Sequence, residues 1–295
     1  MESERAAPLA GAGPLVDVHA HFLHRACGRA DWEARNAARL RAGTRIGISV
    51  HVASMLGTFG FTSPTYFPSP GDVTLGNTEM LALQEREPER VRSYVTVNPN
   101  DTAHALEEMA RCAERGAVGL KLAASRRADD PLLDPLAADA GRRGWPILHH
   151  IWQHRTREWP AQEISDGVDL GRLARRHPGV SFILAHIGGG GDYRHTFAAV
   201  EDIPNVYLDL SGSGVDRGML DDAIRAVSVE RLLWGSDITM ETGLAKLRAL
   251  AAAGVTSEGM AHIRWRNAAH VFPPDALPAP SGALAADGAV MAERR

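Results

Sequence analysis

Short runs of apolar residues recur along the chain and alternate with helix-like segments. Most of these runs are continuous and rich in Val, Ile and Leu, which is typical of parallel strands covered on both faces. Eight of them are predicted to be strands. They span residues 15–21, 46–53, 91–98, 118–123, 146–151, 181–186, 205–210 and 231–237.

The segments between these strands contain the residue types that end helices. Three predicted helices stop directly before a glycine or a proline: residues 102–115, 131–143 and 170–177. Eight strands with intervening helices predict the α/β class and a single-domain (β/α)8 TIM barrel. An open doubly wound sheet is the alternative, and its strand ends would also face one crevice.

The chain is predicted to be a barrel with one insertion and two tails. We place an N-terminal tail at 1–13, the barrel at 14–272 and a C-terminal tail at 273–295, whose Pro, Ala and Gly content does not repay the entropy of ordering. The insertion at 55–76 has three prolines and no helical period. It is predicted to be either a lid over the site or an apolar loop packed on the barrel side. Its aromatic residues are Phe59, Phe61, Tyr66 and Phe67.

Four of the predicted strands end in residue types that bind metals. His19 and His21 end the first strand, and residues two apart on a strand project to the same side. The C-terminal ends of barrel strands surround one mouth, where the active sites of this fold lie. Imidazoles and a carboxylate gathered there are suitable ligands for zinc or a similar divalent ion. Asp17 is expected to point the same way, deeper in the barrel, and to accept a hydrogen bond from one imidazole.

In its motifs the chain resembles the amidohydrolase superfamily, and within it the amidohydrolase-related branch of metal-dependent hydrolases and aromatic acid decarboxylases. The resemblance covers about residues 15–272 and rests on the order and spacing of six motifs. They are Asp17-Val18-His19-Ala20-His21, Gly119-Leu120-Lys121-Leu122, Pro146-Ile147-Leu148-His149-His150, Leu184-Ala185-His186-Ile187-Gly188-Gly189, Trp234-Gly235-Ser236-Asp237 and Asn267-Ala268-Ala269-His270-Val271-Phe272.

The resemblance implies one divalent ion, zinc or alternatively manganese, in a site of four ligands. The implied ligands are His19, His21, His150 and Asp237. Asp237 would also take the proton from a metal-activated water, and His186 would polarise the substrate or shuttle a proton. His150 is preferred to His149 because related sequences place this histidine four residues after the proline.

Lys121 leaves one further alternative open. In some branches of the superfamily a lysine on the fourth strand is carboxylated and bridges two metals, but one metal is commoner in this branch. We therefore expect Lys121 to be either a cation facing the substrate or a buried lysine paired with a carboxylate such as Asp209.

The predicted substrate is a small, partly planar carboxylic acid or its lactone or ester. Arg126 has a forked guanidinium suited to a carboxylate, and Trp152 could stack on a planar substrate together with the aromatic residues of the insertion. The favoured reaction is hydrolysis of a C–O or C–N bond. Decarboxylation of an aromatic or unsaturated acid is the alternative, and a barrel that binds metal or ligand without turnover is a third hypothesis.

The bulk composition fits this interpretation. A formal charge of −4 and a pI near 6.4 give no reason to expect nucleic acid as a partner. The first residues lack the basic flank and apolar core of a signal peptide, and Cys27 and Cys112 do not make a disulfide framework. We expect a cytoplasmic enzyme that has a small-molecule substrate and does not bind membranes, and the resemblance suggests a homodimer.

Overall fold

The computed structural model describes residues 13–55, 69–152, 163–189, 191–212, 218–237 and 240–277. Eight parallel strands pair in sequence order. They are β1 (Leu15–Phe22), β2 (Ile48–Met55), β3 (Val91–Thr96), β4 (Gly119–Leu122), β5 (Ile147–His149), β6 (Phe182–Leu184), β7 (Val206–Asp209) and β8 (Leu232–Leu233). Backbone hydrogen bonds and a bridge between Ala20 and Asp237 join the first strand to the last. The sheet therefore closes into the predicted barrel.

One helix follows each strand and covers the outside of the barrel. These helices are α1 (Trp32–Ile46), α2 (Pro70–Arg86), α3 (Thr102–Ala113), α4 (Asp134–Arg143), α5 (Gly167–Arg176), α6 (Tyr193–Val200), α7 (Met219–Val227) and α8 (Met240–Ala252). The short helices α9 (Ser257–Ala261) and α10 (Asn267–Val271) follow, separated by a π-helical turn at His262–Arg266. The alternation of strand and helix is that of a (β/α)8 barrel.

The core has an outer and an inner layer, and alternate residues of a strand belong to different layers. Strand residues that face the helices pack with helix residues in an outer cluster, which on β5 includes Ile147. Strand residues that face the axis form an inner cluster, which on β5 includes Leu148. This alternation tells which side chains can reach the barrel interior.

The chain after α10 packs against the barrel, although a tail was predicted from residue 273. Val271, Phe272 and Ala276 are buried in the inner cluster. Arg92, near the start of β3, donates a hydrogen bond of 2.7 Å from Nε to the carbonyl of Ala276. Burial of these apolar side chains offsets the cost of ordering a segment that is rich in proline.

The predicted insertion at 55–76 contains the start of α2, so its last part is helical rather than irregular. Ser69 caps the helix, since its Oγ accepts a hydrogen bond from the Asp72 amide while the Asp72 carboxylate accepts one from the Ser69 amide. Pro70 occupies the first turn, where a missing N–H costs nothing. Of the rest, residues 56–68, with Phe59, Phe61, Tyr66 and Phe67, lie outside the described residues.

Cys27 and Cys112 are both free and buried. Within the described ranges, no helix combines the length and apolar character needed to cross a membrane.

Candidate metal centre

Two imidazoles of β1 lie together at the mouth, the barrel end where the strands have their C-termini, beside a β-bulge. Asp17 pairs with His51 and Ala20 pairs with Ala53, so one extra residue lies on β1. The Nε2 atoms of His19 and His21 are 3.1 Å apart, and both side chains are buried. The two ring nitrogens therefore face the same point.

The same bulge turns Asp17 away from the imidazoles, contrary to expectation. Its carboxylate accepts hydrogen bonds from His51 Nδ1 at 2.7 Å, Ser236 Oγ at 2.6 Å and the Ser236 amide at 2.9 Å. Asp17 therefore ties β1 to β2 and to the end of β8 behind the site. The error follows from assuming uninterrupted alternation along β1.

Asp209, at the end of β7, is the carboxylate that contacts His19. Its Oδ2 lies 2.7 Å from His19 Nδ1, and Ser211 Oγ lies 3.0 Å from the same nitrogen. Burial raises the pKa of Asp209 to about 6, so the group is still ionised at neutral pH. From the sequence, Asp209 is expected only as a possible partner of Lys121. The signal in the sequence is that this carboxylate lies at the C-terminal end of a predicted strand, where the active sites of barrels lie.

Asp237 completes a group of three close ligands. One oxygen, Oδ1, lies 3.3 Å from His21 Nε2 and 3.8 Å from His19 Nε2. The ligand atoms of these three residues all lie within 4.8 Å of one another. Burial would raise the pKa of Asp237, but His186 and the two imidazoles outweigh it and hold this pKa well below its usual value. Asp237 is therefore an ionised carboxylate.

The protonation of the two imidazoles suits a metal ion. Burial lowers the pKa of both His19 and His21, so both rings are neutral at pH 7. His19 Nδ1 faces the Asp209 carboxylate, and His21 Nδ1 lies 3.0 Å from Ser54 Oγ and 3.4 Å from the Ser54 carbonyl, both of which can accept a hydrogen bond. We therefore assign the protons to Nδ1, which leaves two lone pairs facing each other. Two nitrogens bound to one zinc ion in tetrahedral geometry lie about 3.3 Å apart, and the donors here fit such an ion.

His150 faces the barrel interior and His149 faces the helices. Leu148 belongs to the inner cluster, so the alternate residue His150 also points inward. His150 Nδ1 lies 3.1 Å from His186 Nε2, which places it beside the three-residue group rather than within it. His149 donates a hydrogen bond of 2.8 Å from Nδ1 to the His150 carbonyl, and burial lowers its pKa to about 4.

His186 reaches the mouth through an unusual backbone conformation. Leu184 belongs to the outer cluster, so simple alternation would turn His186 outward. A φ of 65° at His186 redirects the chain, and its Nδ1 lies 3.4 Å from Asp237 Oδ2. Positive φ values of non-glycine residues concentrate at functional sites. A Cβ at Gly212 would lie 2.2 Å from this nitrogen, so glycine makes room for the ring.

Trp152 forms a flat wall beside His186. The indole stacks on His150 with ring centroids 6.4 Å apart, and its centroid is 5.9 Å from that of His186. The structure thus places this predicted substrate contact at the mouth. The four aromatic residues predicted with it lie in 56–68, outside the described residues.

The two predicted cations occupy different positions. Lys121 is buried, and its Nζ lies 3.2 Å from His19 Nε2. Burial lowers the pKa of Lys121 to about 8 against the pull of Asp237 and Asp209, so the ammonium is still largely protonated at pH 7. Arg126 is half-exposed in the loop after β4, and its Nη1 lies 3.6 Å from Asp130.

Comparison with known proteins identifies the fold and the family. The amidohydrolase family model matches residues 16–273. No curated protein sequence matches the chain significantly.

Solved structures with the same fold include two decarboxylases and a hydratase. A 2,6-dihydroxybenzoate decarboxylase, complexed with 2,6-dihydroxybenzoate, shares 16% identity and a TM-score of 0.69, over 88% of this chain and 98% of that one. A dihydroxybenzoic acid decarboxylase from Polaromonas, with bound manganese, shares 16% identity and a TM-score of 0.67, over 88% and 96%. A 4-oxalomesaconate hydratase from Rhodopseudomonas palustris shares 15% identity and a TM-score of 0.59, over 88% and 95%. At these identities the similarity establishes the fold.

Proposed function

Because the chain belongs to the amidohydrolase family, we propose that it is a metal-dependent decarboxylase of an aromatic or other unsaturated carboxylic acid. The observation that carries this proposal is the convergence of the His19–His21–Asp237 group with the Lys121 ammonium and the flat face of Trp152. The two decarboxylases with the same fold support the reaction class.

His19, His21 and Asp237 would hold the ion, and we propose His150 as the fourth ligand. When bound there, the ion would supply positive charge for the substrate carboxylate and for the negative charge that develops as the carbon–carbon bond breaks. Nitrogen-rich donor sets favour zinc, whereas the Polaromonas decarboxylase was crystallised with manganese. Both ions therefore belong in the test.

Lys121 and Trp152 would orient the substrate. The Lys121 ammonium lies next to the ligand nitrogen of His19, where it can pair with a carboxylate or a phenolate oxygen. The indole of Trp152 offers a planar apolar surface on the His186 side of the mouth, which suits a ring. We also propose Arg126, Phe59, Phe61, Tyr66 and Phe67 as further substrate contacts.

Decarboxylation needs a proton for the carbon that loses CO2. When the carbon–carbon bond breaks, its electron pair stays on the substrate carbon, and a proton must be added there. Asp237 can take a proton from an acidic hydroxyl of the substrate and return it to this carbon, so the product leaves as an oxyanion and regains its hydroxyl proton from solvent. His186 Nδ1, 3.4 Å from Asp237 Oδ2, can relay that proton, and burial, which lowers the pKa of His186 to about 3, favours its release.

Hydrolysis of a C–O or C–N bond is the second candidate. It is favoured by the low pKa of Asp237, because an ionised carboxylate at the mouth can accept the proton of an attacking water.

A substrate screen separates the two reactions. Protein loaded with zinc or manganese is incubated with hydroxybenzoates and methoxybenzoates, and with lactones, esters and amides. Release of CO2 and released acid are measured in parallel, with the Asp237→Asn variant at matched metal content as the control. We expect CO2 from at least one aromatic acid. Acid release from esters, lactones or amides without CO2 from any acid would favour hydrolysis instead.

A further inference from the structure

We propose that Asp209 is a positioning residue of the metal centre, whose carboxylate holds the His19 ring so that the Nε2 lone pair faces the ion. This inference rests on the metal-dependent function proposed above. It adds a carboxylate on β7 to a site whose three clustered ligands lie on β1 and at the end of β8.

The Asp209 carboxylate is fully buried and acts as an acceptor at both oxygens. Its Oδ1 accepts a hydrogen bond of 2.9 Å from the Ser211 amide, and Oδ2 accepts one from Ser211 Oγ. The remaining contact of Oδ2, at 2.7 Å, is His19 Nδ1. Because a carboxylate cannot donate, this contact requires the proton on Nδ1, so the lone pair lies on Nε2, which faces His21 Nε2 and the Lys121 ammonium.

The surrounding backbone provides the space for this contact. A Cβ at Gly235 would lie 2.1 Å from Asp209 Oδ1 and 2.9 Å from the His19 Cβ. Only a residue without a side chain fits between them. The buried Lys246 of α8 donates a hydrogen bond of 3.1 Å to the Ser211 carbonyl, which fixes the turn that presents the two Ser211 donors.

The second imidazole has a different partner. His21 Nδ1 lies 3.0 Å from Ser54 Oγ, a neutral group, whereas His19 Nδ1 lies 2.7 Å from the Asp209 carboxylate. A carboxylate partner raises the basicity of a ligating imidazole more than a hydroxyl does, and loss of such a partner typically weakens metal affinity by about 10–100-fold. Asp209 is therefore expected to matter more for metal binding than Ser54.

Asp209→Asn tests this arrangement, with metal affinity as the readout. Rotated either way, the amide puts an NH2 group where an acceptor is needed, against the Ser211 N–H or against the His19 Nδ1–H. The Kd for zinc and for manganese is measured by competition with a chromophoric chelator, without substrate. We expect a Kd about 10–100-fold higher than that of the wild type. Asp134→Asn is the matched control, because Asp134 contacts His177 Nε2 at 2.8 Å on the outside of the barrel, and its Kd should not change.

A double-mutant cycle distinguishes positioning from charge balance. If Asp209 only neutralised the nearby Lys121 ammonium, Asp209→Asn would have no effect on the Kd in a Lys121→Met background. We expect Asp209→Asn to weaken metal affinity in the Lys121→Met background as well, since Asp209 acts through His19. If Asp209→Asn does not raise the Kd in the Lys121→Met background, the inference is overturned.

The remaining outcomes are also decisive. A wild type that binds neither ion would reject the proposed metal centre itself. Wild-type binding together with an unchanged Kd for Asp209→Asn would reject only the role of Asp209.

If the variant does not fold, the nitrogen NMR spectrum of the metal-loaded wild type answers the question, with His19→Gln used for assignment. We expect the His19 proton on Nδ1, and a proton on Nε2 would overturn the inference.

Discussion

The guanidinium of Arg39 donates a hydrogen bond to the main-chain carbonyl of Asp237. Arg39 lies on α1 and also donates to Ser236 Oγ, so it anchors the end of β8 from outside the barrel. Asp237 has a φ of 52°, and a non-glycine residue in this region costs about 1–3 kcal/mol. The Arg39 contact is part of what holds the carboxylate in place despite that cost.

Replacing Arg39 with methionine should therefore impair turnover. Methionine keeps an apolar stem against Phe22, whose ring lies 5.7 Å from the guanidinium carbon, but it cannot donate. We expect kcat to fall about tenfold or more, because misplacement of a catalytic group is costly. Arg35→Met on the same helix is the control, since Arg35 is exposed and pairs with Asp31. A kcat of Arg39→Met as high as that of the control Arg35→Met would show that Asp237 does not need this contact.

Asp237→Asn separates metal binding from proton transfer. The substitution keeps the size and one oxygen but removes the proton acceptor. We expect the variant to retain metal and its rate to fall by about two or more orders of magnitude. Metal content and turnover are measured on the same preparation. Near-normal turnover would assign the proton transfer to another group, with His186 as the first alternative.

The two neighbouring histidines of β5 should respond differently to alanine. His150 faces the mouth and contacts His186, so His150→Ala should lower both metal affinity and turnover. His149 faces the helices, and its Nδ1 bonds to main chain. His149→Ala should therefore lower mainly the free energy of unfolding. Chelator competition, turnover and denaturant unfolding of both variants check this, and the reverse pattern would show that the interior residue was assigned wrongly.

Glu108 on α3 should make stability depend on pH. Burial would raise its pKa, but hydrogen bonds from Arg111, Asn77 and Thr74 outweigh it, and the pKa lies below its ordinary value of 4.5. A lowered folded-state pKa stabilises the fold above the unfolded value, and this stabilisation is lost as the pH falls through the folded value. Glu108→Gln should thus be more destabilising at about pH 7 than at about pH 3.5, as measured by urea unfolding.

Glu85 provides the control for this prediction. It also pairs with an arginine, Arg115, but is exposed, and exposed ion pairs contribute little. Glu85→Gln should change the free energy of unfolding little at either pH. A pH-independent loss for Glu108→Gln would mean that packing, rather than the carboxylate charge, supports α3 there.

The barrel and most of the strand-end residues were predictable because they depend on local pattern. Continuous apolar runs indicated each strand, and the even spacing of His19 and His21 indicated a shared direction. The inward orientation of His150 also follows from alternation along β5. The start of α2 was missed, although Ser69, Pro70 and Asp72 carry the signal of a helix N-terminus.

The other differences arise where the backbone departs from regular geometry or where distant segments meet. The bulge in β1 turned Asp17 out of the site, and no residue type in that strand predicts the bulge. Asp209 reaches His19 from β7, 190 residues away, so no local spacing relates the two. Arg39 likewise reaches the end of β8 from α1. These partners support the site through tertiary contacts that a single sequence does not encode locally.

Metal content is the most direct test of the account. Wild-type protein is dialysed against zinc or manganese, freed of excess metal and measured by elemental analysis, beside a variant that carries both His19→Ala and His21→Ala. Asp134→Asn serves as a control outside the site. We predict about one ion per chain in the wild type and in the control, and essentially none in the double variant. A wild type that retains no ion, or a double variant that retains as much as the wild type, would contradict the central claim that these residues form a metal centre.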